Sequence, residues 1–255
     1  MIDKVIQISI EAGEIIRQAF RSNFEVETKS NIKDLVTEVD RKSEQAIINF
    51  IKKEYPTHNI LAEESGSQEK GSEYLWVIDP LDGTTNFAHG LPIFAVSIGV
   101  LKNGETICGA VYDIMRNVMY SAEKGSGAFS NGKKLHVSLN SDLSQSVLVT
   151  GFPYNVAANP DHAFERFTAF LKNARAVRRL GSAAIDFCYV AEGVFDGFWE
   201  VILHPWDIAA GKLIVEEAGG IVTDFKNEKI DIFSEQILAT NGVVHKSMLK
   251  LLSEY

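Results

Sequence analysis

Two aspartates stand three residues apart, Asp79 and Asp82, at the start of the segment DPLDGTTN, directly after an apolar run. Two carboxylates on one short turn, together with the Leu81 carbonyl, make the oxygen-only ligand set that Mg²⁺ prefers. Gly83 lets a ligand approach the backbone closely. The free N–H groups of a helix that starts near Thr84 are suited to hold a phosphate. The segment therefore predicts a combined metal and phosphate site.

Two other interpretations use the same residue types. A turn that caps a helix also favours Asp, Gly and Thr, but the full eight-residue segment after an apolar strand argues against it. Phosphatases of the haloacid-dehalogenase type carry Asp-x-Asp-Gly-Thr, with a nucleophilic aspartate two residues before the second aspartate. Here Pro80 and Leu81 separate the two aspartates. The longer spacing argues against an aspartyl-phosphate mechanism.

The composition limits the class of protein. The chain has 255 residues, a formal net charge of −9, 45% hydrophobic residues and 23% charged residues. This balance is ordinary for a folded globular protein. It argues against a broad nucleic-acid surface, which needs a basic stripe. A protein that is acidic overall and acts on anions needs local positive charge, and bound metal ions are one source of it.

The sequence also bears on location. The longest apolar run, residues 91–101, contains proline and glycine, and its 11 residues are too few to cross a bilayer, which takes about 20. The first residues after Met1 lead into an amphipathic stretch rather than the apolar core of a signal peptide. We therefore expect a cytoplasmic location. Cys108 and Cys188, each among apolar and small residues, are expected to be reduced and in or near the core.

The elements that must position the DPLDGTTN segment come first in the chain. Residues 2–20 and about 38–54 have apolar side chains at helical spacing, and we interpret both helices mainly as packing elements. Residues 75–78 predict a buried strand that stops at Asp79. Short apolar runs between residues 93 and 137, separated by Asn-Gly pairs, predict an antiparallel sheet.

The last 115 residues alternate between strand and helix patterns, which indicates an α/β region. We predict strands at 147–151, 221–225 and 237–240, an extended segment at 197–202, and helices at 160–172, 206–218 and 243–252. Two lobes follow: an α+β lobe over residues 1–140 that carries most metal ligands, and an α/β lobe over residues 141–255. A cleft between two lobes is a common place for a small-ligand site.

At this point the sequence resembles the inositol monophosphatase family, which belongs with fructose-1,6-bisphosphatase to a group of lithium-sensitive, magnesium-dependent phosphatases. DPLDGTTN at 79–86 matches the family's first signature. WDIAAG at 206–211, followed by EAGG at 217–220, matches its second. The similarity begins near DLVT at 34–37 and extends to the end of the chain. It implies the layered αβαβα sandwich of that family.

The resemblance implies a set of metal ligands. Glu63 would bind metal and take part in catalysis, and Asp79 would bridge two metal ions. The Leu81 carbonyl would bind the first ion, and Asp82 and Asp207 the second. Two or three Mg²⁺ ions per site are implied. The six histidines have no paired ligand spacing, so zinc is not expected.

The resemblance also assigns the catalytic and substrate-binding residues. Asp34 and Thr84 would form a hydrogen-bonded pair that orients a metal-bound water. The substrate would be held by Asp82, Gly83, Thr84, Ser182, Ala183, Glu200 and Asp207. The carboxylate of Glu200 suits a polyol because it accepts hydrogen bonds from hydroxyl groups.

Some assignments stay open on the sequence alone. Asp34 could instead cap the helix that follows it, and Glu64 could be a neighbour of the site rather than a ligand. His204 lies near Asp207 in sequence without a clear role. Arg178 and Arg179 belong to a basic cluster that could be a solvated face, or could lie near the cleft or a subunit interface.

The implied function is hydrolysis of myo-inositol 1-phosphate, or a related polyol phosphate, by metal-activated water. A homodimer and inhibition by lithium go with it, and no membrane or nucleic-acid partner is expected. Other substrates stay open: fructose-1,6-bisphosphate, a dinucleotide 2′-phosphate of the NADP type, or histidinol phosphate. A different class is also open, an interaction protein that binds transcription machinery on the same fold.

Overall fold

The structure, a computed structural model, describes residues 1–28 and 34–255. Over these residues the α-helices are α1 Ile2–Ala19, α2 Glu38–Glu54, α3 Thr84–Ala88, α4 Ala163–Asn173, α5 Ala183–Ala191, α6 Pro205–Glu217 and α7 His245–Leu252. Short 3₁₀ turns occur at Leu143–Gln145, Val156–Ala158 and Pro160–His162. The helices expected at 2–20 and 38–54 are confirmed.

The strands form three sheets. Two short strands, β1 Val26–Thr28 and β2 Leu35–Thr37, pair with each other. An eight-stranded sheet has the order β10-β9-β8-β7-β6-β5-β3-β4. Its strands are β3 Asn59–Ala62, β4 Gly66–Gln68, β5 Tyr74–Asp82, β6 Ala95–Lys102, β7 Glu105–Asp113, β8 Val118–Glu123, β9 Gly127–Ser130 and β10 Lys133–Lys134. A five-stranded sheet has the order β12-β11-β13-β15-β14 and contains β11 Val147–Thr150, β12 Ala176–Arg178, β13 Gly197–Val201, β14 Ile221–Thr223 and β15 Gln236–Thr240.

The helices and the two large sheets stack in five layers. Helices α1 and α2 cover one face of the eight-stranded sheet, and α5 and α6 cover the other. Helices α5 and α6 also pack on the five-stranded sheet, whose far side buries apolar residues of α4 and α7. The α/β class and the layered αβαβα sandwich are therefore confirmed.

The antiparallel sheet expected between residues 93 and 137 is present as β6 to β10. Asn103 and Asn131 have φ of 50° and 47°, as the turns at the two Asn-Gly pairs require. The C-terminal predictions hold within a few residues. Helix α5, which the sequence analysis did not predict, is an almost wholly buried helix, so it shows little helical alternation of polar and apolar residues.

The two large sheets lie on either side of residue 140 in sequence, because the first ends at Lys134 and the second begins at Val147. One hydrophobic cluster contains residues of both sheets, such as Val111 of β7 and Phe198 of β13. The division into residues 1–140 and 141–255 therefore stays a prediction. Both cysteines are free and buried, as expected. Within the described ranges, no helix combines the length and apolar character that crossing a membrane requires.

Candidate active site

The first signature lies at the end of β5, where the strand contains a bulge. Asp79 pairs with Ser97 of β6, but Asp82 pairs with Ala95, so β5 has one residue more than its partner over this stretch. Side chains three residues apart point to opposite faces of a regular strand. The extra residue reverses the phase, so Asp79 and Asp82 face the same side. Pro80 has no N–H group to donate to the neighbouring strand. It is tolerated here because the bulge interrupts the regular hydrogen bonding between the two strands.

Asp207 reaches the same point from the first turn of α6. One carboxylate oxygen each of Asp79, Asp82 and Asp207 lies within 4.8 Å of the other two. Asp207 is the third residue of α6, and its Oδ2 accepts a hydrogen bond of 2.7 Å from the backbone N–H of His204. This contact fixes the carboxylate against the start of the helix.

Small residues let α6 approach the eight-stranded sheet. A Cβ on Gly99 of β6 would lie 2.7 Å from the Cβ of Ala209, and one on Gly109 of β7 would lie 2.9 Å from the Cα of Ala210. Such contacts are too short for two carbon atoms. Glycine on the strands and alanine on the helix therefore allow the close packing that brings Asp207 to the end of β5.

The surroundings of the three carboxylates disfavour their charged forms. Burial raises the pKa of Asp79 well above its ordinary value, and the carboxylates of Glu63, Asp82 and Asp207 raise it further. Burial raises the pKa of Asp82 to about 6. Burial and then Asp82 raise the pKa of Asp207. A bound divalent cation would offset this repulsion, and the all-oxygen donor set fits Mg²⁺.

Glu63 lies beside Asp79. It follows β3 in a three-residue loop that leads into β4, and Gly66 closes the loop with φ of 74°. The Glu63 N–H donates to the carbonyl of Ile78 over 3.2 Å. A hydrogen bond between the Glu63 and Asp79 carboxyl groups contributes to the raised pKa of Asp79. The predicted ligand Glu63 is thus next to the three aspartates.

Asp82 is held by the start of α5. Its Oδ2 accepts hydrogen bonds from the Ser182 hydroxyl and from the Ala184 N–H, the latter at 2.8 Å. The Ala183 N–H also lowers the pKa of Asp82. Ser182 and Ala183 therefore anchor Asp82, whereas contact of these two residues with the substrate stays a prediction. The positive end of the helix dipole favours a carboxylate here.

Thr84 pairs with Asp40 rather than with Asp34. The Thr84 hydroxyl lies 2.8 Å from Asp40 Oδ1 and 3.0 Å from the Leu81 carbonyl. This contact corrects the predicted Asp34–Thr84 pair: Asp34 precedes β2, while Asp40 is the third residue of α2 and projects from its first turn. Thr37 caps α2, so Asp34 is not its cap either.

Asp40 is oriented by a capping box. Its Oδ2 accepts from the Thr37 N–H over 2.9 Å and from the Thr37 hydroxyl. The side chain is completely buried. Burial raises the pKa of Asp40, while the bonds from Thr37 and Thr84 lower it. The signal was in the sequence, since Thr three residues before an acidic residue is the pattern of a helix start.

Gly83 permits the turn into α3. Its φ is 95°, and a Cβ there would lie 3.0 Å from the carbonyl oxygen of Ile93 and 3.3 Å from that of Gly181. Nearby, the Asn86 side-chain amide donates to the carbonyls of Ile93 and Leu180, both over 2.8 Å. The first signature is thereby tied to the chain that precedes α5.

Glu200 on β13 is the substrate-side acid that the sequence predicted. Burial, and next the charge of Asp82, raise its pKa to about 8, while the exposed Arg179 acts in the opposite direction. Gly151 makes room for it, because a Cβ on Gly151 would lie 2.1 Å from Glu200 Oε1. The Arg179 guanidinium lies 5.5 Å from the ring centroid of Phe152.

The rest of the second signature is structural. Both carboxylate oxygens of Glu217 accept hydrogen bonds of 2.7 Å, from the N–H groups of Gly125 and Gly127 in the β8–β9 turn. A Cβ on Gly220 would lie 2.6 Å from the carbonyl of Thr240. These contacts link the end of α6 to both large sheets.

The comparisons with known proteins agree with this geometry. The profile of the inositol monophosphatase family matches residues 1–255. The chain belongs to this family. Membership indicates a phosphatase, and the family generally uses Mg²⁺, which the acidic cluster is suited to bind.

Relatives in the family carry different names. The fructose-1,6-bisphosphatase/inositol-1-monophosphatase of Thermotoga maritima is 40% identical over 99% of this chain and 96% of its own. The Nus factor SuhB of Escherichia coli K12 is 43% identical over 98% and 94%. The solved inositol monophosphatase of Anabaena superposes with a TM-score of 0.89 at 38% identity, over 99% and 95% of the two chains.

Proposed function

We propose that this protein is a Mg²⁺-dependent phosphomonoesterase that hydrolyses myo-inositol 1-phosphate or a related polyol phosphate. The observation that carries the proposal is the cluster of Asp79, Asp82 and Asp207, in which one carboxylate oxygen of each residue lies within 4.8 Å of the others, beside the Thr84–Asp40 pair. Such hydrolysis needs carboxylates that can bind metal ions and a pair of side chains that can orient the attacking water.

Five groups would hold the metal ions. Asp79, Asp82 and Asp207 form the centre, and Glu63 and the Leu81 carbonyl complete the set. When bound, Mg²⁺ makes water a better nucleophile near neutral pH and neutralises charge on the reacting phosphate. Hydrogen bonds from the starts of α5 and α6 hold Asp82 and Asp207 in place without the ions.

Thr84 and Asp40 would orient the attacking water. Asp40 accepts a hydrogen bond from the Thr84 hydroxyl. The lone pairs of Thr84 Oγ1 therefore remain available to accept a hydrogen bond from water. Because Asp40 is fixed by Thr37, Thr84 has little freedom to turn away. The backbone N–H groups of Gly83 and Thr84 would bind the phosphate, and no aspartate would be phosphorylated.

Glu200 would select the alcohol part of the substrate. A buried carboxylate accepts hydrogen bonds from hydroxyl groups, which a polyol supplies and a simple alkyl phosphate does not. Ser182 and Ala183 would line the same side. The exposed Arg179 beside Glu200 favours one alternative, a substrate with a second anionic group such as fructose-1,6-bisphosphate.

A substrate panel tests the proposal. We expect Mg²⁺-dependent release of phosphate, with the highest kcat/KM for inositol 1-phosphate or another polyol phosphate; NADP, histidinol phosphate and fructose-1,6-bisphosphate complete the panel. Lithium should inhibit. With a substrate whose phosphate is chiral in oxygen isotopes, direct attack by water should invert the configuration at phosphorus. Absence of Mg²⁺-dependent hydrolysis across the panel would refute the proposal, and retention of configuration would refute the mechanism.

The homodimer that the family implies and the cytoplasmic location expected from the sequence remain parts of this proposal. The name of the Escherichia coli relative keeps a second role open, binding to transcription machinery. Rescue of a deletion phenotype by the Asp82→Asn variant would favour that role, because the variant should lack turnover but keep the fold.

A further inference from the structure

Helix α2 presents three buried polar side chains to two segments of the active site, DPLDGTTN and the loop between β3 and β4. Asp40 bonds Thr84, and the Ser43 hydroxyl donates to the Pro80 carbonyl over 2.9 Å. The third, Glu44, has no place in the mechanism above. Only 4% of its surface is exposed. Burial of a carboxylate is costly, so a position chosen for packing alone would favour an apolar residue.

Glu44 contacts the loop that carries Glu63. Its Oε2 accepts a hydrogen bond of 2.8 Å from the N–H of Glu64. That N–H belongs to the peptide group between Glu63 and Glu64. The preceding peptide group is held from the other side, because the Glu63 N–H donates to the Ile78 carbonyl over 3.2 Å.

Both peptide groups that flank the Glu63 Cα are therefore hydrogen-bonded to other elements, one to α2 and one to β5. The planes of two consecutive peptide groups determine φ and ψ of the residue between them. These angles set the direction of the Cα–Cβ bond, and hence where the side chain can reach. The hydrogen bonds that these two N–H groups donate to Ile78 and Glu44 thus orient Glu63 toward Asp79.

We propose that Glu44 is a positioning residue for metal binding, which holds the Glu63 carboxylate in place through the backbone N–H of Glu64. The inference rests on the proposed function, in which Glu63 is a metal ligand. Partners of metal ligands typically contribute 10- to 100-fold to metal affinity. Glu44 differs from such partners in acting on the backbone of the ligand's loop rather than on its side chain.

Two substitutions separate the hydrogen bond from the volume of the side chain. Glu44→Met keeps a similar length but removes the acceptor, whereas Glu44→Gln keeps a neutral acceptor for the Glu64 N–H. Glu38→Gln is the matched control, since Glu38 lies in the first turn of the same helix and pairs with Lys42 outside the site. Urea unfolding and circular dichroism in EDTA establish that each variant is folded.

The readout is Mg²⁺ affinity of the full chain, measured by calorimetry and by the rise in Tm with added Mg²⁺. We expect Glu44→Met to raise the Kd for Mg²⁺ about tenfold or more, Glu44→Gln to restore most of the affinity, and Glu38→Gln to match the wild type. Wild-type affinity in a folded Glu44→Met protein would overturn the inference, as would equal losses in the Met and Gln variants.

A fourth variant distinguishes this inference from the proposed function. Glu63→Gln weakens the ligand itself and should reduce Mg²⁺ affinity at least as much as Glu44→Met. Loss in Glu63→Gln without loss in Glu44→Met would refute only the positioning role. Wild-type affinity in Glu63→Gln would refute the assignment of Glu63 as a ligand, and the inference with it.

Discussion

The Thr84 hydroxyl donates to Asp40 Oδ1 over 2.8 Å, across 44 residues of sequence. Asp40 also receives hydrogen bonds from Thr37, at the capping box of α2. The pair therefore joins the start of one helix, α2, to the start of another, α3. The Thr37 hydroxyl is part of the helix cap, whereas the Thr84 hydroxyl lies in the DPLDGTTN segment. Thr84 is therefore the group through which we expect Asp40 to act on water.

Asp40→Asn should reduce kcat by about 10²- to 10⁴-fold, the usual contribution of a positioned proton acceptor. Mg²⁺ affinity should change little, because Asp40 is not among the proposed ligands. Steady-state kinetics at saturating Mg²⁺ and calorimetry measure the two effects. Asp34→Asn is the control and should keep near wild-type kcat. An equal loss in both variants would return Asp34 to the role first predicted for it.

Asp82→Asn and Asp207→Asn should abolish Mg²⁺-dependent turnover while leaving the fold intact. Each substitution also removes one carboxylate from a crowded set, so the metal-free protein should become more stable rather than less. Thermal melts in EDTA and in Mg²⁺ measure both effects. We expect a higher Tm than wild type in EDTA and a smaller rise on adding Mg²⁺. Retained turnover in either variant would contradict the metal assignment.

The stability of the metal-free protein should fall as pH rises. A buried acid with a raised pKa keeps its proton in the folded state after the unfolded chain has lost it, so folding becomes less favourable with pH between the two values. For Glu200 this interval runs from 4.5 to about 8. The slope for one such group is about 1.4 kcal/mol per pH unit.

Glu200→Gln should therefore flatten the pH dependence between pH 5 and pH 8 by up to about that amount per unit. Urea unfolding in EDTA at several pH values measures the slope. Glu69→Gln serves as the control because the Glu69 side chain is exposed. An unchanged slope in Glu200→Gln would show that Glu200 ionises in the folded protein as it does in the unfolded chain.

Gly151→Ala should impair recognition of the alcohol without disturbing the metals. The new Cβ would lie 2.1 Å from Glu200 Oε1, so the carboxylate must move. We expect at least about a fivefold loss of kcat/KM for a polyol phosphate, since a buried polar group that loses its hydrogen bond costs about 1–3 kcal/mol. An aryl phosphate, which lacks the hydroxyls, should be hydrolysed as by the wild type. Equal losses with both substrates would indicate general damage.

The sequence predicted the αβαβα sandwich and the residues that converge on one point, because the two signatures and the hydrophobic patterns are local features. It did not predict that β5 continues through Pro80, since a proline normally ends a strand and a bulge depends on the partner strand. Helix α5 was missed because burial on several sides removes the periodic pattern.

The wrong assignment of Asp34, in place of Asp40, as the partner of Thr84 has a similar cause. Both residues lie close to the start of α2, and spacing along the chain does not determine which of them reaches Thr84. The capping box determines it, by turning Asp40 back along the helix start. Ser43 and Glu44 were not predicted as part of the site, because α2 was interpreted mainly as a packing element and their partners lie 37 and 20 residues away.

The bond between Ser182 and Asp82 spans 100 residues, and Asp207 lies further along the chain. During synthesis Asp82 leaves the ribosome 125 residues before Asp207, an interval of about 6 to 25 seconds at common rates of about 5–20 residues per second. For most of that time the nascent chain carries Asp79 and Asp82 without the start of α5, and until its end without the start of α6. The order of translation therefore means that the proposed magnesium site is completed only after Asp207 has emerged.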